Sequence, residues 1–341
     1  MWIDHFVFFP DRRVGPPPAG VEERWLVTED GRRLHAWYLP PPDGGPVLLW
    51  SHGNAGNIDS RRSVLAALAA RGLGVLAYDY RGYGRSEGAP SEPGVYLDAS
   101  AAFDDLVTRG TDPATIVCFG ESLGGAVSIE VATRRRCGAV IAVSTFTRLA
   151  DVARRHYGPL GSLAGDRFDS RARLPRVSAP VLVAHGDQDE IVPFELGERL
   201  FAAAPEPKRF LRIAGADHND ALGHPVLLDG IAEFAREGRG GGEKERRDQR
   251  RTERTDPGRI SHGTLLGADG RVARLSSAAR SCQSARPTAS RANAAMASSK
   301  AGWPRASLWS APATRTKRFG SWAAANSRSP SSKGTISSWS P

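Results

Sequence analysis

Residues 115–134 read Thr-Ile-Val-Cys-Phe-Gly-Glu-Ser-Leu-Gly-Gly-Ala-Val-Ser-Ile-Glu-Val-Ala-Thr-Arg. The apolar, β-branched run from Thr115 to Phe119 has the character of a strand. Gly120-Glu121-Ser122-Leu123-Gly124 follows with no linker, and a helical pattern starts at once. A strand, a turn too tight for ordinary side chains and a helix are thus forced into direct succession. Glycines at 120 and 124 relieve the crowding that such a turn creates. A serine at its apex is placed where a nucleophile would be held.

The Gly-x-Ser-x-Gly spacing alone is weak, and a second copy occurs at Gly84-Arg85-Ser86-Glu87-Gly88. Ser86 lies several residues beyond the apolar run Leu73–Tyr78 and is followed by Gly88-Ala89-Pro90-Ser91, which is loop chemistry. Turn formation explains Ser86 without a function, so Ser122 is the candidate nucleophile.

The rest of residues 1–237 repeats the strand-then-helix rhythm. Two runs, 21–28 and 33–39, flank Glu29-Asp30-Gly31 and predict an antiparallel hairpin. Strands are expected at Val47–Ser51, Leu73–Tyr78, Thr115–Phe119, Ala139–Val143, Val181–Ala184 and Lys208–Ile213. Helices are expected near Ile58–Ala70, Val95–Thr108, Leu123–Arg135, Phe194–Ala203 and Leu222–Glu237. This alternation predicts an α/β fold, a doubly wound and mostly parallel sheet with helices on both faces. Its reactive loops should lie at the carboxyl ends of the strands. Residues of about 145–178 break the rhythm after the sixth strand and are read as a short lid.

Charge divides the chain. The net charge of +9 is the sum of −5 over residues 1–237 and +14 over residues 238–341. The body is therefore mildly acidic and long enough to bury a large core. The segment 238–341 opens on a Gly-rich breaker and a charge run, then continues in Ser, Ala and Arg without periodicity. It is expected to be a disordered, low-complexity basic tail, or out-of-frame translation rather than a selected domain. A nucleic-acid or anionic-membrane tail is the rival reading. Cys118, Cys137 and Cys282 are too widely spaced for a disulfide framework or a metal motif. No run approaches the roughly 20 apolar residues of a membrane span. The first nine residues lack the order of a signal peptide. The expectation is a cytoplasmic body.

A serine hydroxyl needs a base, an acid to orient that base, and donors for an oxyanion. In doubly wound hydrolases the order along the chain is Ser, acid, His. His218, in the loop after 208–213, is the candidate base. His224 precedes Pro225 at a helix start and is read as a surface or capping residue. Asp187 and Asp189 compete for the acid in His185-Gly186-Asp187-Gln188-Asp189. Asp187 is placed to bond its own turn, and Asp189 lies deeper in the loop; the residues alone leave the choice open. Asp217 and Asp220 are read as turn formers. The candidate oxyanion donors are the backbone N–H groups of Leu123 and of Asn54, with Ala55 second, in the 51–57 loop. His52 and His185 are read as structural.

Taken together, Ser51–Asn57, Tyr78–Gly88, Gly120–Gly125, Ser144–Thr147, His185–Pro193 and Gly215–Asp220 resemble the α/β-hydrolase superfamily. They look like the branch that includes dienelactone-hydrolase-like and acyl-protein-depalmitoylase-like proteins. The resemblance covers roughly residues 5–237 and implies that Asp189 is the acid and His218 the base. Many members carry an amino-terminal membrane anchor ahead of the segment matching Phe6–Pro10; this chain gives no support for anchoring of that kind, and its sequence does not tell whether an upstream anchor is missing. The expectation is a cofactor-free, metal-free serine hydrolase acting on a small-molecule acyl ester or thioester through an acyl-enzyme on Ser122. An aminopeptidase or amidase would use the same triad. It would need lid carboxylates, and arginines outnumber Asp151, Asp166 and Asp169 there. A non-catalytic binding module, or nucleic-acid binding through the tail, are the readings from other classes. Nothing in the sequence fixes the oligomeric state.

Overall fold

The computed structural model describes Asp4 and residues 6–238. The expectations for the tail, 239–341, lie outside the described residues. In chain order the strands are β1 (Phe9–Pro10), β2 (Glu22–Val27), β3 (Arg33–Leu39), β4 (Val47–Ser51), β5 (Ala55–Gly56), β6 (Gly74–Tyr78), β7 (Ile116–Glu121), β8 (Ala139–Val143), β9 (Val181–Gly186) and β10 (Lys208–Ile213). The helices are α1 (Arg62–Ala69), α2 (Glu92–Thr108), α3 (Leu123–Arg134), α4 (Leu149–Tyr157), α5 (Ser170–Arg173), α6 (Phe194–Ala203) and α7, residues 225–238.

Eight strands form one sheet in the order β10-β9-β8-β7-β4-β6-β3-β2. β2 and β3 are the expected hairpin, and β3 joins β6 antiparallel; every other pairing in this sheet is parallel. Strands β4, β6, β7, β8 and β9 are buried along their whole length. That is why they read as unbroken apolar runs. Their side chains alternate between two cores. Ile116 and Cys118 of β7 join Phe103 of α2 and Val127 of α3 on one face. Val117 and Phe119 join Leu65 of α1 and Ile231 of α7 on the other. β1 and β5 form a separate two-residue parallel pair. Its brevity hides it from any periodicity argument.

Residues 145–178 are a compact helical layer: α4, a 3₁₀ stretch Gly158–Ala164, then α5 and a 3₁₀ turn Leu174–Arg176. Gly161 seats the 3₁₀ stretch on α4, because a Cβ there would lie 2.2 Å from the Ala153 carbonyl carbon and the Arg154 nitrogen.

Candidate active site

Ser122 links β7 to α3 with φ 52° and ψ −119°, a conformation costing about 1–3 kcal/mol for a residue with a side chain. The surroundings leave it no alternative. A Cβ on Gly120 would lie 2.2 Å from the Gly124 carbonyl oxygen, and one on Gly124 only 1.9 Å from the Ser51 oxygen. The Ser122 N–H donates to Val143 O at 2.8 Å, and Thr145 Oγ1 donates to Ser122 O at 3.2 Å. β8 therefore braces the turn from outside.

The loops after β9 and β10 converge on this serine. His218 Nε2 is 3.2 Å from Ser122 Oγ, and His218 Nδ1 is 2.7 Å from Asp189 Oδ2. The Asp189 carboxylate, buried and anionic, requires the Nδ1–H tautomer, which leaves Nε2 as the acceptor facing the hydroxyl. The other carboxylate oxygen, Oδ1, accepts from the backbone N–H groups of Ile191 and Val192 at 3.0 and 2.8 Å. His185 Nε2, bonded to Val192 O at 2.9 Å, also approaches Asp189 Oδ2 at 3.4 Å. Burial pushes the Asp189 carboxyl upward. The hydrogen bonds from His185, His218 and Val192 and the neighbouring imidazole charge outweigh it and hold the group well below the ordinary carboxylate range.

The competing candidates are placed elsewhere. Ser86 Oγ donates to Asp79 O at 2.7 Å and accepts from His35 N at 2.9 Å, so it pins β3 to the loop after β6. Asp187 accepts from Gln188 Nε2 in its own turn at 3.3 Å, and also reaches across to Arg212 Nε of β10 at 2.9 Å and to Gly215 N in the loop after it at 2.8 Å. Sequence distance concealed that contact, which arises because β9 and β10 are neighbours. Asp217 Oδ1 accepts from Asn219 N and Asp220 N, forming the turn that presents His218. His224 Nδ1 accepts from Val226 N at the start of α7, a capping role. His52 Nδ1 donates to Gly53 O at 2.7 Å, and its ring packs against Tyr80 and Tyr83. Burial, with Arg61 nearby, pushes the His52 imidazole down to about 3.

The 51–57 loop lies against the elbow and is tied from several sides. Tyr80 OH donates to His52 O at 2.8 Å and Tyr83 OH to Asn54 O at 2.7 Å. Asn54 Nδ2 donates to Val7 O at 3.0 Å. Among the described residues the N–H groups of Asn54 and Leu123 have no hydrogen-bond acceptor. Two such donors near a serine are the equipment that a developing oxyanion requires.

One residue escaped the sequence reading. Glu121, beside the serine, accepts from Trp50 Nε1 at 2.6 Å through one oxygen. Through the other it accepts from Gly53 N at 2.8 Å and Arg61 Nε at 3.1 Å. A single carboxylate thus joins β4, the 51–57 loop and α1's approach to the elbow. The available signal was an acid ending an otherwise apolar strand, since a buried carboxylate must be paired. Among the described residues, no group of three or more His, Cys, Asp or Glu is arranged to hold a metal.

A family model described as serine aminopeptidase, S33, matches residues 45–169, which include the 51–57 loop and Ser122 but not Asp189 or His218. Alpha/beta hydrolase domain-containing protein 17C of Mus musculus is 35% identical over 221 residues, 63% of this chain and 67% of that protein. The chain belongs to the α/β-hydrolase superfamily. This α/β-hydrolase is also 43% identical over 244 residues to the uncharacterized protein Rv2307c of Mycobacterium tuberculosis, covering 68% of this chain and 86% of the relative. Among solved structures, the esterase Pf2001 of Pyrococcus furiosus shares the fold with a TM-score of 0.56 at 18% identity, over 67% of this chain and 96% of that one. Among the described residues, no helix is long and apolar enough to cross a membrane.

Proposed function

We propose that the protein is a serine hydrolase that cleaves carboxylic ester or thioester bonds through an acyl-enzyme on Ser122. The observation that carries this reading is the unbroken chain Asp189–His218–Ser122, with contacts of 2.7 and 3.2 Å. His218 takes the hydroxyl proton as Ser122 Oγ attacks the acyl carbon, and returns it to the departing alcohol or thiol. Asp189 stays ionised and stabilises the imidazolium. The N–H groups of Asn54 and Leu123 receive the oxyanion. Water, deprotonated by His218, then releases the acid.

The second reading is an aminopeptidase, favoured by the description of the matching family model. A free amino terminus needs a carboxylate to receive it, and the lid's carboxylates are engaged. Asp151 is held by Arg148, Arg154 and Thr147; Asp169 caps α5; Asp166 pairs with Arg148. This favours the acyl ester or thioester. Purified protein is expected to hydrolyse p-nitrophenyl butyrate and to be labelled by a fluorophosphonate, and Ser122→Ala to lose both. Labelling retained in Ser122→Ala would overturn the assignment. Faster turnover of aminoacyl naphthylamides than of esters would select the second reading.

A further inference from the structure

The lid distributes its apolar residues the wrong way round for a core. In the stretch 157–164 the small residues Gly161 and Ala164 are buried. The large ones face water: Tyr157 is 66%, Leu160 67% and Leu163 71% exposed. Arg154, Arg155 and His156, immediately before them, are exposed as well. Arg155 has no ion pair among the described residues, and Arg154 bonds only within its own helix, to Asp151 and to Ala150 O. Exposing three large apolar side chains in one short stretch forfeits the free energy that their burial would supply.

The patch borders the catalytic loops. His156 Nε2 is 2.8 Å from Ile191 O, two residues beyond Asp189, and the Ile191 side chain is itself 40% exposed. The patch therefore lies beside the loop that carries Asp189. Four apolar side chains fall well short of the roughly 800 Å² per partner of a stable protein interface. They do suffice for shallow insertion into a bilayer when cations flank them.

We propose that the lid face docks on an anionic lipid bilayer. Tyr157, Leu160 and Leu163 enter the boundary between headgroups and acyl chains, and Arg154 and Arg155 meet the phosphates. This deepens the hydrolase reading above and rests on it for one consequence: the acyl chain offered to Ser122 comes from a membrane-embedded substrate.

The test uses the full chain with vesicles of phosphatidylcholine, with and without phosphatidylglycerol. Two readouts are sedimentation and hydrogen exchange of the amides of 154–164. Vesicles containing phosphatidylglycerol are expected to slow exchange in this stretch. The double variant Leu160→Ser, Leu163→Ser should lower partitioning by roughly tenfold for each leucine and abolish the slowing, while hydrolysis of soluble p-nitrophenyl butyrate is unchanged. Protein that sediments with vesicles while the exchange of 154–164 stays the same is held by its basic tail, which overturns the proposal. Equal partitioning to both vesicle types overturns it too, as does slow exchange before vesicles are added, which would mean coverage by residues 239–341 or by a second copy. Ser122→Ala should bind vesicles like the wild type, so a failure of docking and a failure of the hydrolase reading are separately visible.

Discussion

The substitution Glu121→Gln removes one charge and almost no volume, and it should uncouple the 51–57 loop from the elbow. The carboxylate now accepts hydrogen bonds on both oxygens, from Trp50 on one and from Gly53 and Arg61 on the other. Every partner is a donor. An amide has one accepting oxygen, so its NH₂ must face either Trp50 Nε1–H or the Gly53 N–H and Arg61. Each buried donor left unsatisfied costs about 1–3 kcal/mol. The mostly buried ion pair with Arg61, at 3.1 Å, is lost as well. A net loss of about 3 kcal/mol lowers Tm by about 6–12 °C in a domain of this size. The loop carrying the Asn54 N–H then loses one of its ties. Deleting an oxyanion donor outright costs on the order of 10²–10³ in kcat. A displaced donor should cost less, roughly 10- to 100-fold, with KM for p-nitrophenyl butyrate nearly unchanged because Glu121 does not meet the substrate. Steady-state kinetics at a temperature where the variant is folded, checked by circular dichroism, gives the answer. A kcat within twofold of wild type, in a variant whose Tm has fallen, would refute the coupling. The ties from Tyr80, Tyr83 and Val7 would then be enough to set the loop.

Two further outcomes follow from the same geometry. Asp189→Asn keeps the shape but loses the anion that selects the His218 tautomer, so kcat should fall about 10⁴-fold; a loss below tenfold, measured on the same ester, would mean that another group orients His218. The second concerns acid stability. Burial holds the His52 imidazole at about 3 in the folded protein, below its ordinary 6.5. The unfolded chain therefore binds the proton first, and this contribution to stability is present above pH 6.5 and lost as pH falls toward 3. The slope is about 1.4 kcal/mol per pH unit within that window. Urea unfolding as a function of pH should give a shallower acid limb for His52→Asn than for wild type; parallel limbs would assign the acid sensitivity to other groups.

The parts of the molecule that could be read from the chain are those whose signal is local. β4 and β8 begin and end where their apolar runs place them, because a strand buried on both faces has no polar residues to blur its edges, and β10 and α6 begin and end at the breakers that flank them. Ser122 was legible because strand, glycines and helix are contiguous. The hidden features depend on pairings that no local pattern records. Glu121 meets Gly53 across 68 residues, and Val7 meets Asn54 across 47. Asp187 finds Gly215 only because β10 is laid beside β9. The choice between Asp187 and Asp189 belonged to this class too. Both are acids in one loop, and only the three-dimensional path decides which meets His218.

The sheet order has a consequence for the growing chain. β4 and β7, which bear the 51–57 loop and Ser122, are central, while β9 and β10, which bear Asp189 and His218, are added last at one edge. On the proposed mechanism, a chain released only as far as β8 carries Ser122 but neither Asp189 nor His218, so the proposed base is still missing. The hydroxyl of such an intermediate is as inert as any in water. On that reading the pair of Ser122 and His218 is complete only once β10 and the loop after it have been added, so acyl transfer to Ser122 waits for that stretch of the chain.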